Sequence, residues 1–141
     1  MTTNQILSAQ QIAEAQLHTA LRMWSEKEYV SCITLAGAAE EILGKRMRKL
    51  GLEPSFDNIL TTIVQMANRM GEAIPNIKRD IATLLNQTRN ELKHYSGDEG
   101  LDFDLRADAQ EMLERAIANY TSLTGQVLPE MLHFWAATDD A

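Results

Sequence analysis

Apolar residues recur at three- and four-residue spacing through five successive segments of this chain, a period that suits helices and leaves no convincing alternating strand. The clearest run is Leu105, Ala109, Met112, Leu113, Ala116, Ile117, Tyr120 and Leu123, which predicts a helix over about 104–123, ended by Gly125. A first helix is expected over 4–26, with Ile6, Ala9, Ala13, Leu17, Ala20, Leu21 and Trp24 on its apolar face. A second, over 28–50, buries Leu35, Ala36, Ala39, Ile42, Leu43, Met47 and Leu50 and stops at Gly51. Gly37, Ala38 and Gly44 lack bulk, so another helix can approach this backbone closely.

A turn at Glu53-Pro54-Ser55 opens a shorter third helix bearing Leu60, Ile63, Val64 and Ala67, which ends near Gly71. Pro75 and Asn76 open a fourth, with Ile77, Ile81, Leu84, Leu85, Leu92 and Tyr95 as its stripe and Gly97 as its end. The aromatic-rich tail at 128–136 reads as a short helix docked on the bundle or on a partner. These readings give an all-α chain, a four- to five-helix antiparallel bundle expected to form one domain over residues 1–141.

Cys32 is the sole cysteine, which removes an internal disulfide and a multi-cysteine zinc site, and its setting reads as a small packing residue. No stretch approaches the roughly 20 apolar residues of a membrane span, so the expectation is a cytoplasmic protein without a membrane partner. Twenty acidic against thirteen basic residues give a net charge of −7, which argues against broad binding to nucleic-acid backbone. Local charge differs: Lys45, Arg46, Arg48 and Lys49 form a basic cluster, read as a solvated face, and Asp98, Glu99, Asp102 and Asp104 form an acidic run.

Arg89-Asn90-Glu91-Leu92-Lys93-His94 stands out near the end of the fourth helix. On an ideal helix with Ile81 at zero, Arg89 falls near about 80°, Lys93 near 120°, Asn90 near 180° and His94 near 220°, a group expected on the side away from the core. Arg89 and His94 also diverge by about 140° and roughly 7.5 Å along the axis, so one copy closes poorly on a small group, whereas a two-fold homodimer can set Arg89 of one copy beside His94 of the other.

Arginine, four residues, then histidine, with a polar residue directly after the arginine, resembles the motif of the HEPN domain, named for higher eukaryotes and prokaryotes nucleotide-binding. The run from Leu35 to Gly44 is similar to the small-residue segments that precede the motif helix in such proteins. The resemblance implies a small helical bundle and a metal-independent endoribonuclease, in which a 2′-hydroxyl of RNA attacks the adjacent phosphorus and leaves a cyclic phosphate. It further implies a toxin or defence role, with an antitoxin or a small nucleotidyltransferase as partner and no cofactor. Arg89, Asn90 and His94 then carry the chemistry: histidine moves a proton near neutral pH, arginine offers a charged fork to phosphate oxygens, and Asn90 orients either group. Lys93 reads either as a substrate contact or as an ordinary surface lysine. Glu40, at the edge of the second helix's apolar arc, reads either as a partly exposed carboxylate or as a group that positions a cationic side chain. Members paired with nucleotidyltransferases carry a modifiable tyrosine two places after the histidine; Ser96 stands there, and Tyr95 reads as a core tyrosine.

Glu91-x-x-His94 and Glu130-x-x-His133 also match half-sites of a dinuclear iron centre, with Glu14 and Glu40 or Glu41 as further carboxylates. Their expected placement is wrong for such a centre, since His94 faces away from the core and the second match lies in the tail. No metal is therefore expected, and His18 and His133 read as surface histidines. The acidic balance favours the alternative of a non-catalytic HEPN-like dimer that binds a nucleotide or a partner protein.

Overall fold

The structure, a computed structural model, describes residues 4–71, 76–95, 97, 100 and 103–139. These form seven helices: α1 (Ala9–Ser25), α2 (Tyr29–Lys49), α3 (Ser55–Arg69), α4 (Ile77–Leu85), α5 (Gln87–His94), α6 (Leu105–Thr124) and α7 (Pro129–Asp139). The expected turn residue Pro75, the tyrosine-equivalent Ser96, and Asp98, Glu99 and Asp102 of the acidic run lie outside the described residues. No helix among the described residues is long and apolar enough to cross a membrane.

α1 begins later than its periodicity predicts, because Ser8 and Gln11 form a reciprocal cap: Gln11 N–H donates to Ser8 Oγ at 3.1 Å and Ser8 N–H to Gln11 Oε1 at 2.8 Å. That cap leaves Ile6 outside the helix and fully exposed. A short turn through Glu26, Lys27 and Glu28 reverses the chain into α2, making an antiparallel hairpin. α2 packs against both α1 and α6, which touch each other as well, and the core joins Leu17, Trp24, Ile33, Leu43, Leu113 and Tyr120. Each such side chain contributes roughly 1.5–3 kcal/mol by leaving water. α7 docks on α1 with Met131 and Phe134 buried, so the tail covers the bundle itself. Cys32 is buried in this core and its thiol is pushed up to about 12 by desolvation, which suits a packing residue and leaves no reactive thiolate.

α3, α4 and α5 pack differently. Only Leu60 of α3 is buried, and α4 and α5 bury no residue completely. The expected single fourth helix is interrupted at Asn86, which closes α4 and opens α5. Leu84, expected on a core stripe, is exposed. Tyr95 is exposed too, since α5 ends at His94 and Tyr95 continues in extended backbone, outside the helical register that placed it on the stripe. Leu50 likewise lies just past α2 and is exposed.

Candidate functional site

The motif helix α5 is tied to the bundle by polar contacts. Its inward arc consists of Thr88, Arg89 and Leu92, which ideal geometry sets within about 100° of one another. Thr88 Oγ1 donates to Asp108 Oδ2 of α6 at 2.9 Å, and Leu92 packs partly against the core. Arg89 runs across α2 at Gly37, where an added β-carbon would overlap its Cδ and lie 2.8 Å from its Cγ. Its Nη1 then donates to Glu40 Oε2 at 3.0 Å.

Glu40 is buried, and its other oxygen accepts from Arg115 Nη2 of α6 at 3.2 Å. Arg115 is buried as well; Nη2 also donates to Asn86 Oδ1 at 3.0 Å and Nη1 to the Leu85 carbonyl at 3.3 Å, while the guanidinium lies over the Phe56 ring at 4.9 Å. One carboxylate thus sits between two guanidinium groups, a local charge of +1 inside an acidic chain. Arg115 accounts for the break: it caps the last turn of α4 at the Leu85 carbonyl, which a continuous helix would have bonded to itself, and holds the Asn86 side chain at the hinge. Asn119, one turn on, donates to the Glu40 carbonyl at 3.4 Å and accepts from Ser55 N–H at 2.8 Å, anchoring the start of α3.

Arg89 is therefore not on the side away from the core, as the sequence reading expected. Its side chain is 11% exposed, because Gly37 admits its stem and Glu40 satisfies its head. Glu40 positions a cationic side chain and is not the half-exposed flank carboxylate of the other reading. Asn90, Lys93 and His94 are exposed, with Asn90 and His94 on the outer side of α5. Arg89 and Lys93 together line a small recess with Thr34, Ala38 and Glu41. The structure accordingly joins Glu40 to Arg89 and Arg89 to Lys93, and leaves Asn90 and His94 apart from Glu40.

Arg115, Asn119 and Asn86 were missed by the sequence reading. Their signal was modest: Asp108, Arg115 and Asn119 fall within about 60° of Met112 on α6, a polar line along the edge of the apolar stripe. Glu14, considered above as a metal ligand, instead accepts from the buried Tyr120 hydroxyl at 3.1 Å. Burial first, and the Glu14 carboxylate second, raise the Tyr120 phenol above its ordinary value. Among the described residues no group of three or more His, Cys, Asp and Glu side chains is arranged to hold a metal ion.

Comparison with known protein families, curated proteins and solved structures finds no match for this chain.

Proposed function

We propose that the rim of α5 running from the Arg89–Lys93 recess round to the exposed His94 is the RNA-cleaving half-site of a HEPN-like, metal-independent endoribonuclease, completed by a second copy of the chain across a two-fold axis. The observation that carries this reading is the seating of Arg89: a glycine makes way for its stem, a buried carboxylate orients its head, and its outer edge shares a recess with Lys93. A guanidinium fixed in this way presents its remaining donors in one direction, as stabilisation of a phosphorane-like transition state requires. His94 takes the proton from the 2′-hydroxyl as that oxygen bonds to phosphorus; the bond to the 5′-oxygen breaks, and a protonated His94 of the partner subunit returns a proton to the leaving oxygen. Arg89 and Lys93 offset the charge gathering on the phosphate oxygens, and Asn90 orients substrate or imidazole. Two-fold symmetry supplies the convergence that Arg89 and His94 of one helix lack.

The test is RNA cleavage in excess chelator by protein freed of any bound inhibitor. His94→Ala should lower the rate by about a hundredfold or more with an unchanged thermal midpoint, because the side chain is exposed. Full cleavage by His94→Ala removes the proton-transfer role, and full cleavage by a sedimenting monomer removes the composite site.

A non-catalytic dimer that binds a nucleotide or a protein is favoured by one observation, the commitment of Arg89 Nη1 to Glu40 and the small exposed remainder of that side chain. A dimer that binds RNA or mononucleotide without cleaving it supports this second reading.

A further inference from the structure

A second cavity lies elsewhere, between the C-terminal half of α1, the start of α6 and α7, and none of its lining residues belongs to the Arg89–Glu40–Arg115 network. Its volume is about 540 Å³, within the usual range of small-molecule sites, roughly 300–1,000 Å³. Leu21, Trp24 and Phe134 make an apolar floor, with the Trp24 and Phe134 rings edge to face at 5.1 Å. The rim is cationic. Arg22, Lys27 and Arg106 line it, and among the described residues none of the three is in an ion pair. Arg106 instead lies over the Trp24 ring at 5.1 Å, joining rim to floor. The carboxylate in the lining, Glu130, meets His18 Nε2 through Oε1 at 3.0 Å, while its Oε2 is buried without a hydrogen-bond partner among the described residues.

Lys27 occupies an unusual backbone position. α1 closes with Lys27 N–H donating to the Trp24 carbonyl at 3.0 Å and Glu28 N–H to the Met23 carbonyl at 2.8 Å, a closure that puts Lys27 in the left-handed region at φ 61°. Glycine fills the corresponding place after α2 and α3, at φ 75° for both Gly51 and Gly71. A lysine there is strained relative to glycine, and what its side chain gains is a place on the rim of this cavity.

We propose that this cavity binds a small anionic aromatic molecule, its ring against Trp24 and Phe134 and its anionic group among Arg22, Lys27 and Arg106. A flat ring matches the aromatic floor, and three cations that form no ion pair among the described residues gather positive charge at one mouth of a chain of net charge −7. The ring's anionic group is a phosphate or a carboxylate, and the rim accommodates either.

The site can be read with the dye 1-anilinonaphthalene-8-sulfonate and its uncharged relative N-phenyl-1-naphthylamine, following dye emission and tryptophan quenching on the native chain. The expected result is saturable one-to-one binding of the sulfonate, with the neutral dye weaker by about tenfold. Lys27→Gly is the decisive variant, because it relaxes the backbone while deleting a cation: sulfonate affinity should fall about fivefold or more, neutral-dye affinity should hold, and the thermal midpoint should stay level or rise. Arg106→Gln should weaken the sulfonate as well. Displacement of the dye by phenyl phosphate or by benzoate supports the site and tells the two sources apart. Equal affinity for the two dyes, unaltered sulfonate affinity in Lys27→Gly, or displacement by neither anion overturns the proposal.

Discussion

The α1–α2–α6 core and the α3–α4–α5 flank are held together by different physics. The core is apolar: Ala13, Leu17, Cys32, Ala36, Leu113 and Tyr120 are completely buried, and polar groups enter it mainly at its edge. The flank buries one apolar residue, Leu60, and relies on Glu40, Arg89, Arg115, Asn86 and Asn119 to reach the rest of the chain. Hydrophobic burial is non-directional and tolerant, whereas a charged network is geometrically exact in its demands and fails when one member is lost. The flank should therefore open locally while the core stays shut, a property suited to the element that carries the candidate site.

Removing the centre of the network gives the largest expected effect. Glu40→Ala leaves Arg115 buried without its carboxylate and unties Arg89, and it should cost about 3–5 kcal/mol in urea unfolding. Leu17→Ala, in the core, falls in a similar range of about 2–5 kcal/mol, so the amount alone does not separate the regions. Hydrogen exchange does. Glu40→Ala should accelerate amides of α3, α4 and α5 well before those of α1 and α6, while Leu17→Ala should raise exchange in all of them together. Uniform acceleration in both variants would mean that the flank and the core open as one unit.

The two glycines of α2 sharpen the contrast at one methyl group each. At Gly37 a β-carbon collides with Arg89 in the middle of an anchored side chain, so Gly37→Ala should cost about 1–3 kcal/mol, and in the proposed enzyme it should reduce cleavage by displacing the guanidinium. At Gly44 the same atom meets Arg48 Nη1 and Pro54 Cβ at 3.7 Å and Asn119 Nδ2 at 3.8 Å, ordinary contact distances. Gly44→Ala should instead stabilise by about 0.5–1 kcal/mol through the helical preference of alanine. Opposite signs in thermal melts are the expected outcome, and equal signs would mean that Arg89 yields without loss.

How far the sequence was legible follows the same divide. α1, α2 and α6 were readable because burial there obeys helical period, and all the expected apolar positions of α6 are buried or partly buried. The break at Asn86 was not readable, since no proline or glycine marks it; it depends on Arg115, 29 positions further along. The inward turn of Arg89 depends on Glu40, 49 positions away, and on Gly37. Its angular position, about 60° from Leu92 on an ideal helix, was compatible with the stripe's flank, but charge argued for solvent. The place of Glu40 at the edge of an apolar arc fitted a positioning carboxylate and a partly exposed flank residue alike, and Arg115, at the edge of the strongest stripe, was hidden by its neighbours.

The smallest effect concerns the second polar tether of the flank, where Arg48 of α2 grips Asp57 of α3 through Nε at 2.9 Å and Nη2 at 2.6 Å. This fork, ahead of other influences, holds the Asp57 carboxyl below its ordinary value. A carboxyl depressed on folding adds stability above its unfolded pKa and loses it as pH falls through the folded one, so the contribution fades below about pH 4. Both side chains remain substantially solvated, at 47% for Arg48 and 32% for Asp57, which limits the pair to about 0.2–1 kcal/mol. Asp57→Asn should therefore cost that much at pH 7, less in high salt, and progressively less as pH falls below about 4. Asp57 also stands in the first turn of α3, where a negative charge is favoured by the helix dipole regardless of Arg48. An Arg48→Gln background separates the two causes: if the tether acts through the ion pair, Asp57→Asn becomes nearly neutral there, and an undiminished cost would assign the effect to the helix end and leave α3 tied to α2 by neither charge.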